Sequence, residues 1–298
     1  MEAMIAWGLD LIRAVQTIES PALTAAMRAI TQLGSEYFYL IALPVFFWCV
    51  DARFGLRFGA VFLTSSFLNS WLKVLLGVPR PFAVDPTIGL SHETSLSMPS
   101  GHAQGSATFW GLLGPKIKRP WGLILALAVP LLVGFTRVYL GVHYPSDVLM
   151  GWALGWGIAL AWFFYGSRVE ALLSKAPLRA KLVLAALASL AMNAILPSDT
   201  RLSGVFLGTC LGAIFLFDKF GFDAKAGGLK LKGARLALGV LGLGAIYFGL
   251  KLVLPGEGSS LYALFRFVRY ALIGAWVSLG APWLFMRLGL AKSGPAAA

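Results

Sequence analysis

Two cysteines in 298 residues, Cys49 and Cys210, both inside apolar runs, leave no material for a disulfide framework or a cysteine-based metal cage. Charged residues make up only 13% of the chain, where a soluble domain carries about 25%. The 13 acidic residues are scattered, and no Asp/Glu group has the density of a magnesium site. The N-terminus lacks the order of basic region, apolar core and cleavage site, so no cleavable signal peptide is expected. Histidine is nearly as scarce: His92, His102 and His143 are all there are.

What is present in quantity is apolar. Hydrophobic residues account for 58% of the chain, in runs of roughly 15 to 25 that recur along its length. A helix rises about 1.5 Å per residue, so about 20 such residues cross a bilayer core. The sequence therefore predicts an all-α integral membrane protein, a polytopic helical bundle. Ten Trp suit anchoring at the bilayer interface. The net charge of +12 would suggest nucleic acid in a soluble protein. Here it reads as basic loops beside anionic lipid headgroups, with the bilayer and no nucleic acid as partner.

Residues 4–18 and 21–33 are apolar but broken by Asp10, Arg13, Pro21 and Arg28, which predicts short helices lying in the interface. Nine spans are then expected, at 36–50, 55–76, 100–114, 121–140, 146–165, 181–196, 203–217, 235–254 and 262–286. Nine spans put alternate loops on opposite faces. The loops at 51–54, 115–120, 166–180 and 218–234, with the C-terminal tail and adjoining helix ends, hold most of the 25 Lys and Arg. The positive-inside rule makes that face cytoplasmic and turns the 77–99 and 137–145 loops outward. Composition shifts at 166–180, which divides the chain into a polar-looped core, 1–165, and an extension rich in Leu, Ala and Gly, 166–298. Gly204, Gly208 and Gly212 form a small-residue stripe, as do Gly151 and Gly155; close helix packing explains both, and a homodimer is the other use of such a stripe.

Polar residues gather at the outward ends of the core spans: Lys73 and Arg80 in KVLLGVPRP, Ser100, Gly101 and His102 in PSGH, and Arg137, His143 and Asp147 in RVYLGVHYPSD. Ionisable groups at membrane depth are costly and mark functional sites. Three cations can neutralise a phosphate, Arg through a planar fork and Lys as a point charge. Pro99 sets the start of a helix whose first amides, at Ser100 and Gly101, are expected to face outward as an anion site. Pro145 suits the first position of the next helix, which places Asp147 in its first turn. There it can hold one nitrogen of His143 and leave the other free to attack. His102 then serves as general acid to the departing oxygen. A phosphohistidine forms and water hydrolyses it, with protein cations in place of a metal and no cofactor.

Lys-x6-Arg-Pro, Pro-Ser-Gly-His and Arg-x5-His-x3-Asp, in this order, resemble the three signature motifs of the type 2 phosphatidic acid phosphatase superfamily. The resemblance covers about 36 to 165. It implies a metal-independent phosphatase with His143 as nucleophile and His102 as acid. Thr136 stands where family members often have Ser, and keeps the hydroxyl. The substrate so implied is a membrane lipid phosphate in a bacterial plasma membrane. Undecaprenyl diphosphate is the first choice, and phosphatidic acid or phosphatidylglycerol phosphate the alternatives. A phosphotransferase with the same intermediate, or a transporter or scaffold with a vestigial site, are the competing readings.

Some residues have two readings. Arg80 and Arg137 can instead pair with Asp85 or Glu93. Asn69, one turn before Lys73, can orient that lysine or hold a neighbouring helix. His92 is a substrate contact or a loop cap. Arg266 and Arg269 bind a second phosphate or anchor the chain at the interface.

Overall fold

The computed structural model describes residues 2–294. Among these the chain is helical, with no strand and one isolated bridge between Asp223 and Lys292. The helices are α1 (Glu2–Gln16), α2 (Pro21–Thr31), α3 (Glu36–Val45), α4 (Ala52–Leu76), α5 (Pro81–Val84), α6 (Gly101–Leu113) and α7 (Pro120–Tyr139). Then follow α8 (Pro145–Lys175), α9 (Leu178–Ile195), α10 (Thr200–Phe215), α11 (Leu229–Val253), α12 (Tyr262–Ala275) and α13 (Ala281–Arg287).

Among the described residues, seven helical stretches are long and apolar enough to cross a membrane, or eight if the pair Pro21–Gly34 and Glu36–Val50, bent by 45°, is one broken span. This corrects the expected nine. The 36–50 run qualifies only together with the helix before it. The 100–114 run folds as α6, whose 13 residues reach about 20 Å, too short to count as a span by itself, although its end meets the start of α7, Gly114 against Gly122, so the chain still passes from one end of α7 to the other. α6 is instead enclosed by protein. Gln104, Ser106 and Thr108 are buried along it, and polar groups of that kind need partners that lipid does not offer.

The chain forms two compact units: residues 1–39 with 64–167, and residues 40–63 with 168–298. α4 gives its first half to the second unit and its second half to the first. Residues 40–63, expected with the core, thus group with the C-terminal helices.

In the first unit, glycines set how closely the helices approach. A Cβ on Gly151 would stand 2.8 Å from the Ser100 carbonyl oxygen, and one on Gly155 would stand 2.5 Å from that of Gln104. α8 therefore lies directly against α6, bringing the two helix starts together. α1 buries Leu9 and Ile12 in a cluster with Val78, Ile88, Ala103, Val138, Tyr144 and Val148. Met27 of α2 packs with Tyr139, Leu140 and Val142. The two N-terminal helices also tie down loops. The Gln16 side-chain amide donates to the Ile88 and Tyr139 carbonyls at 2.8 and 2.9 Å. Arg13 pairs with Asp85 at 2.8 Å.

In the second unit the glycine stripe is used internally. Cβ atoms on Gly204 and Gly208 would stand 2.5 and 1.8 Å from carbonyl oxygens of α12. Arg235 is fully buried and donates to the carbonyls of Leu290 (2.8 Å), Trp48 (3.1 Å), Ala224 (3.0 Å) and Ala226. A basic residue counted among the cytoplasmic charges is thus a clip between loop ends.

Candidate active site

The site is built where four helix ends meet in the first unit. α4 ends just past Lys73, and Gly77 at φ 63° turns the chain out of it. Arg80 caps α5 in extended backbone, as a residue before proline tends to be. α6 begins at Gly101 and α8 at Pro145. Between α7 and α8 the turn depends on Gly141. Its φ is 68°, and a Cβ there would stand 1.9 Å from the Ile88 carbonyl oxygen.

His143 and Asp147 are both buried, at 1% and 0% side-chain exposure. Asp147 Oδ2 lies 3.1 Å from His143 Nδ1 and also accepts from the Tyr144 amide (2.9 Å) and from Ser97 Oγ (2.5 Å). An ionised carboxylate only accepts, so Nδ1 carries the proton and Nε2 the lone pair. Nε2 in turn lies 2.8 Å from Arg80 Nη1. Burial, and then the charges of Arg80, Lys73 and Arg137, push the imidazole well below the usual histidine range. His143 is thus a neutral ring with its basic nitrogen aimed at a cation. His102, second in α6, is partly exposed.

The three cations converge on one loop. Lys73 Nζ donates to the carbonyls of Leu96 and, at 2.9 Å, Ser97. Arg80 donates from Nε to the Ser95 carbonyl at 2.7 Å, from Nη2 to Ser95 Oγ at 2.9 Å and from Nη1 to the Val142 carbonyl at 2.8 Å. Arg137 donates to Thr31 Oγ1 at 2.9 Å and pairs with Glu93. Of the alternative pairings, Arg137–Glu93 is therefore realised, whereas Asp85 belongs to Arg13. The Thr87 hydroxyl and then Arg13 hold the Asp85 carboxyl down to about 2.

One expectation at α6 needs correction. The Ser100 amide does not face outward as a free donor; it donates to the Asp147 carbonyl at 3.0 Å. Its hydroxyl caps the helix by accepting from the Ala103 amide. Ser100 joins α6 to α8, and the amides of Gly101 and His102 remain as the first-turn donors. Gly101 is close-packed on Asn69, whose Oδ1 would stand 3.3 Å from a Cβ there. Asn69 itself holds α6, donating to the Pro99 carbonyl (3.3 Å) and Gln104 Oε1 (2.8 Å). It makes this contact rather than orienting Lys73. His92 is exposed, edge-on to Phe82 with ring centroids 5.1 Å apart. Arg266 and Arg269 lie in the second unit, over the faces of Tyr262 and of Tyr247 and Tyr270. Among the described residues no three His, Cys, Asp or Glu side chains gather as a metal cage would require.

The profile of the PAP2 superfamily matches residues 54–170, and that of the PAP2 superfamily phosphatase transmembrane extension matches 200–293. The phosphatidylglycerophosphatase B of Bacillus subtilis is 34% identical over 48% of this chain and 75% of its own length. The chain belongs to the PAP2 superfamily. The undecaprenyl-diphosphatase of Sulfolobus acidocaldarius is 30% identical over 52% of this chain and 76% of its own. A crystal structure of a transmembrane PAP2-type phosphatidylglycerolphosphate phosphatase from Bacillus subtilis aligns with 57% of this chain and 89% of its own at 29% identity, with a TM-score of 0.49.

Beyond the PAP2 motif residues, the structure adds Ser97, Ser95, Glu93 and Thr31 to the site. All four hold a motif side chain. Ser95 and Ser97 stand in the serine-rich run SLSMPS, but nothing in their local pattern says which serine reaches Asp147. Thr31 arrives from a helix more than a hundred residues away from Arg137.

Proposed function

We propose that the chain hydrolyses a lipid phosphate or diphosphate at the extracytoplasmic surface of a bacterial plasma membrane through a phosphohistidine. One observation carries the reading: His143 is buried and neutral, with Nδ1 held by Asp147 and Nε2 within 2.8 Å of a phosphate-binding guanidinium. A nucleophile needs its lone pair in place and its ring fixed. When a phosphate occupies the seat, Arg80 turns its donors to the phosphoryl oxygens and Nε2 meets phosphorus. The N–P bond forms as the P–O bond to the lipid breaks. His102, protonated once the phosphate's negative charge offsets the three cations, gives that proton to the departing oxygen. It then takes a proton from the water that attacks phosphorus, and His143 leaves unchanged. Asp147 stabilises the positive charge that His143 carries meanwhile. Lys73, Arg80 and Arg137 neutralise the phosphoryl oxygens, the role a metal ion fills elsewhere. The Gly101 and His102 amides at the start of α6 add donors.

The charge bias between loops supports the outward orientation. A site at helix ends suits a substrate whose tail stays in the bilayer. Undecaprenyl diphosphate is the preferred substrate and phosphatidylglycerol phosphate the next, as the names of the two relatives suggest, with phosphatidic acid a further alternative.

The test is phosphate release by purified protein in detergent with EDTA, on undecaprenyl diphosphate, phosphatidic acid and phosphatidylglycerol phosphate, beside His143→Ala. Release that survives EDTA and vanishes in the variant is expected, with a ³²P-labelled acid-labile intermediate on rapid quenching. Release that EDTA abolishes, or that His143→Ala retains, would sink the mechanism.

A further inference from the structure

We infer that Glu93 occupies the phosphate seat on Arg137 in the resting protein and sets how strongly a phosphate must bind to enter. The inference rests on the phosphatase reading of the same site.

Arg137 is 2% exposed and Glu93 31%. A guanidinium that deep needs a counter-charge, because removing one partner of a buried pair leaves an uncompensated charge out of water. Thr31 supplies only a neutral oxygen. In the absence of substrate the negative charge comes from Glu93. The two partners differ in freedom. Arg137 sits in the last turn of α7, fixed by the helix, whereas Glu93 sits in a loop without regular structure.

That loop has little else to hold it. The Leu90 amide bonds to the Leu140 carbonyl and the Ser97 amide to the Val78 carbonyl; among the described residues no backbone–backbone hydrogen bond ties 91–96 between them. The segment is instead gripped by the three cations of the cradle. Arg137 holds Glu93, Arg80 holds Ser95, and Lys73 holds Leu96 and Ser97. The donors that would bind phosphate are thus those that close the strap over the site. A phosphate monoester carries about −1.5 to −2 at neutral pH with three strong acceptor oxygens. It outbids one carboxylate for a bidentate guanidinium. Substrate entry is then an exchange of anions on Arg137: Glu93 swings to solvent, and on product release it returns to expel phosphate. Glu93 acts as a competitor for the seat and has no part in bond making.

The experiment is calorimetric titration of orthovanadate, as a phosphate analogue, into the full chain in detergent. Wild type would be compared with Glu93→Gln and Thr31→Val, each checked for an unchanged elution volume and a cooperative thermal transition. Gln cannot neutralise Arg137, so vanadate should bind Glu93→Gln about tenfold more tightly than wild type, a difference of about 1.4 kcal/mol. Thr31→Val keeps the competing carboxylate and should bind no more tightly than wild type. Unchanged or weaker binding in Glu93→Gln would show that Glu93 only positions Arg137 and would overturn the inference. So would equal tightening in Thr31→Val. If Glu93→Gln does not fold, Glu93→Asp, with a shorter reach, should tighten vanadate to a smaller extent, and the absence of any tightening there counts against the inference. Phosphate release by wild type on the lipid panel is a separate arm: its failure removes the phosphatase reading, while the vanadate ratio still decides the role of Glu93.

Discussion

Ser97 Oγ donates to the same carboxylate oxygen of Asp147 that holds His143 Nδ1, at 2.5 Å and 3.1 Å respectively. The carboxylate is thereby shared between His143 and the loop that carries Ser97. Asp147 is fixed by a hydroxyl from 97 and an amide from 144 before the imidazole adds its own bond. Ser97→Ala should lower kcat, because the carboxylate is less firmly aimed. A hydrogen bond to a charged group is worth about 1.5–3 kcal/mol, so the loss should be about 10- to 100-fold. Ser97→Thr should recover most of it. Phosphate affinity should stay near wild type, since Ser97 donates its hydroxyl to Asp147 rather than into the cradle. A kcat unmoved by Ser97→Ala would remove the serine from the orienting network.

His102 as proton donor gives a substrate-dependent signature. General acid catalysis contributes about 10²–10⁴-fold when the leaving oxygen is basic. His102→Ala should therefore cost that much on a lipid alkyl phosphate, and far less on p-nitrophenyl phosphate, whose leaving group departs without a proton. Equal losses on both would assign His102 to binding.

The pH dependence follows from burial of His143 among cations, which lowers its pKa from the ordinary value. The native ring stays neutral as pH falls through about 6.5, where a free histidine would protonate. The acid limb of kcat/KM due to His143 should accordingly lie well below 6.5. Stability carries the matching sign. The unfolded chain takes up this proton below about 6.5 and the native chain does not, so stability should fall as pH drops through that window. A kcat/KM profile and a Tm series from pH 4 to 8 check both. An acid limb at or above 6.5 that persists when His102 is replaced would contradict a buried, neutral His143.

Gly141→Ala tests the turn that delivers His143. Left-handed backbone costs a non-glycine residue about 1–2 kcal/mol, and the added Cβ would also collide with the Ile88 carbonyl. The expected result is a loss of at least ~2 kcal/mol in unfolding free energy, with a lower Tm and a displaced His143. A Tm within a degree of wild type would show that the turn relaxes without cost.

Gly208→Leu asks what the glycine stripe of the second unit is for. α12 already lies against it, so the substitution should lower Tm in detergent whatever the oligomeric state. If light scattering shows that it instead splits a dimer into folded monomers, the stripe is an intermolecular seam.

The helical membrane class and the motif residues of the site follow from the order of residues alone. Apolar runs of bilayer length and scarce charge leave a chain no other place to bury itself. Lys73, Arg80, His102, Arg137, His143 and Asp147 stand out because ionisable groups are rare in such a chain and helix-starting prolines stand beside them. Local patterns cannot say how many runs cross a bilayer, because crossing depends on what encloses a helix. α6 looks like a span by composition and is a short helix wrapped by its neighbours. They are equally silent on partners. Asp85 and Glu93 were equal candidates for Arg137 until α1 placed Arg13 against Asp85 and left Glu93 to the buried guanidinium. Thr31, Ser95 and Ser97 carry no signal of their own in the chain. A hydroxyl acquires a role only when packing brings it within hydrogen-bond reach of a charge, and for Thr31 and Arg137 that reach spans 106 residues of chain.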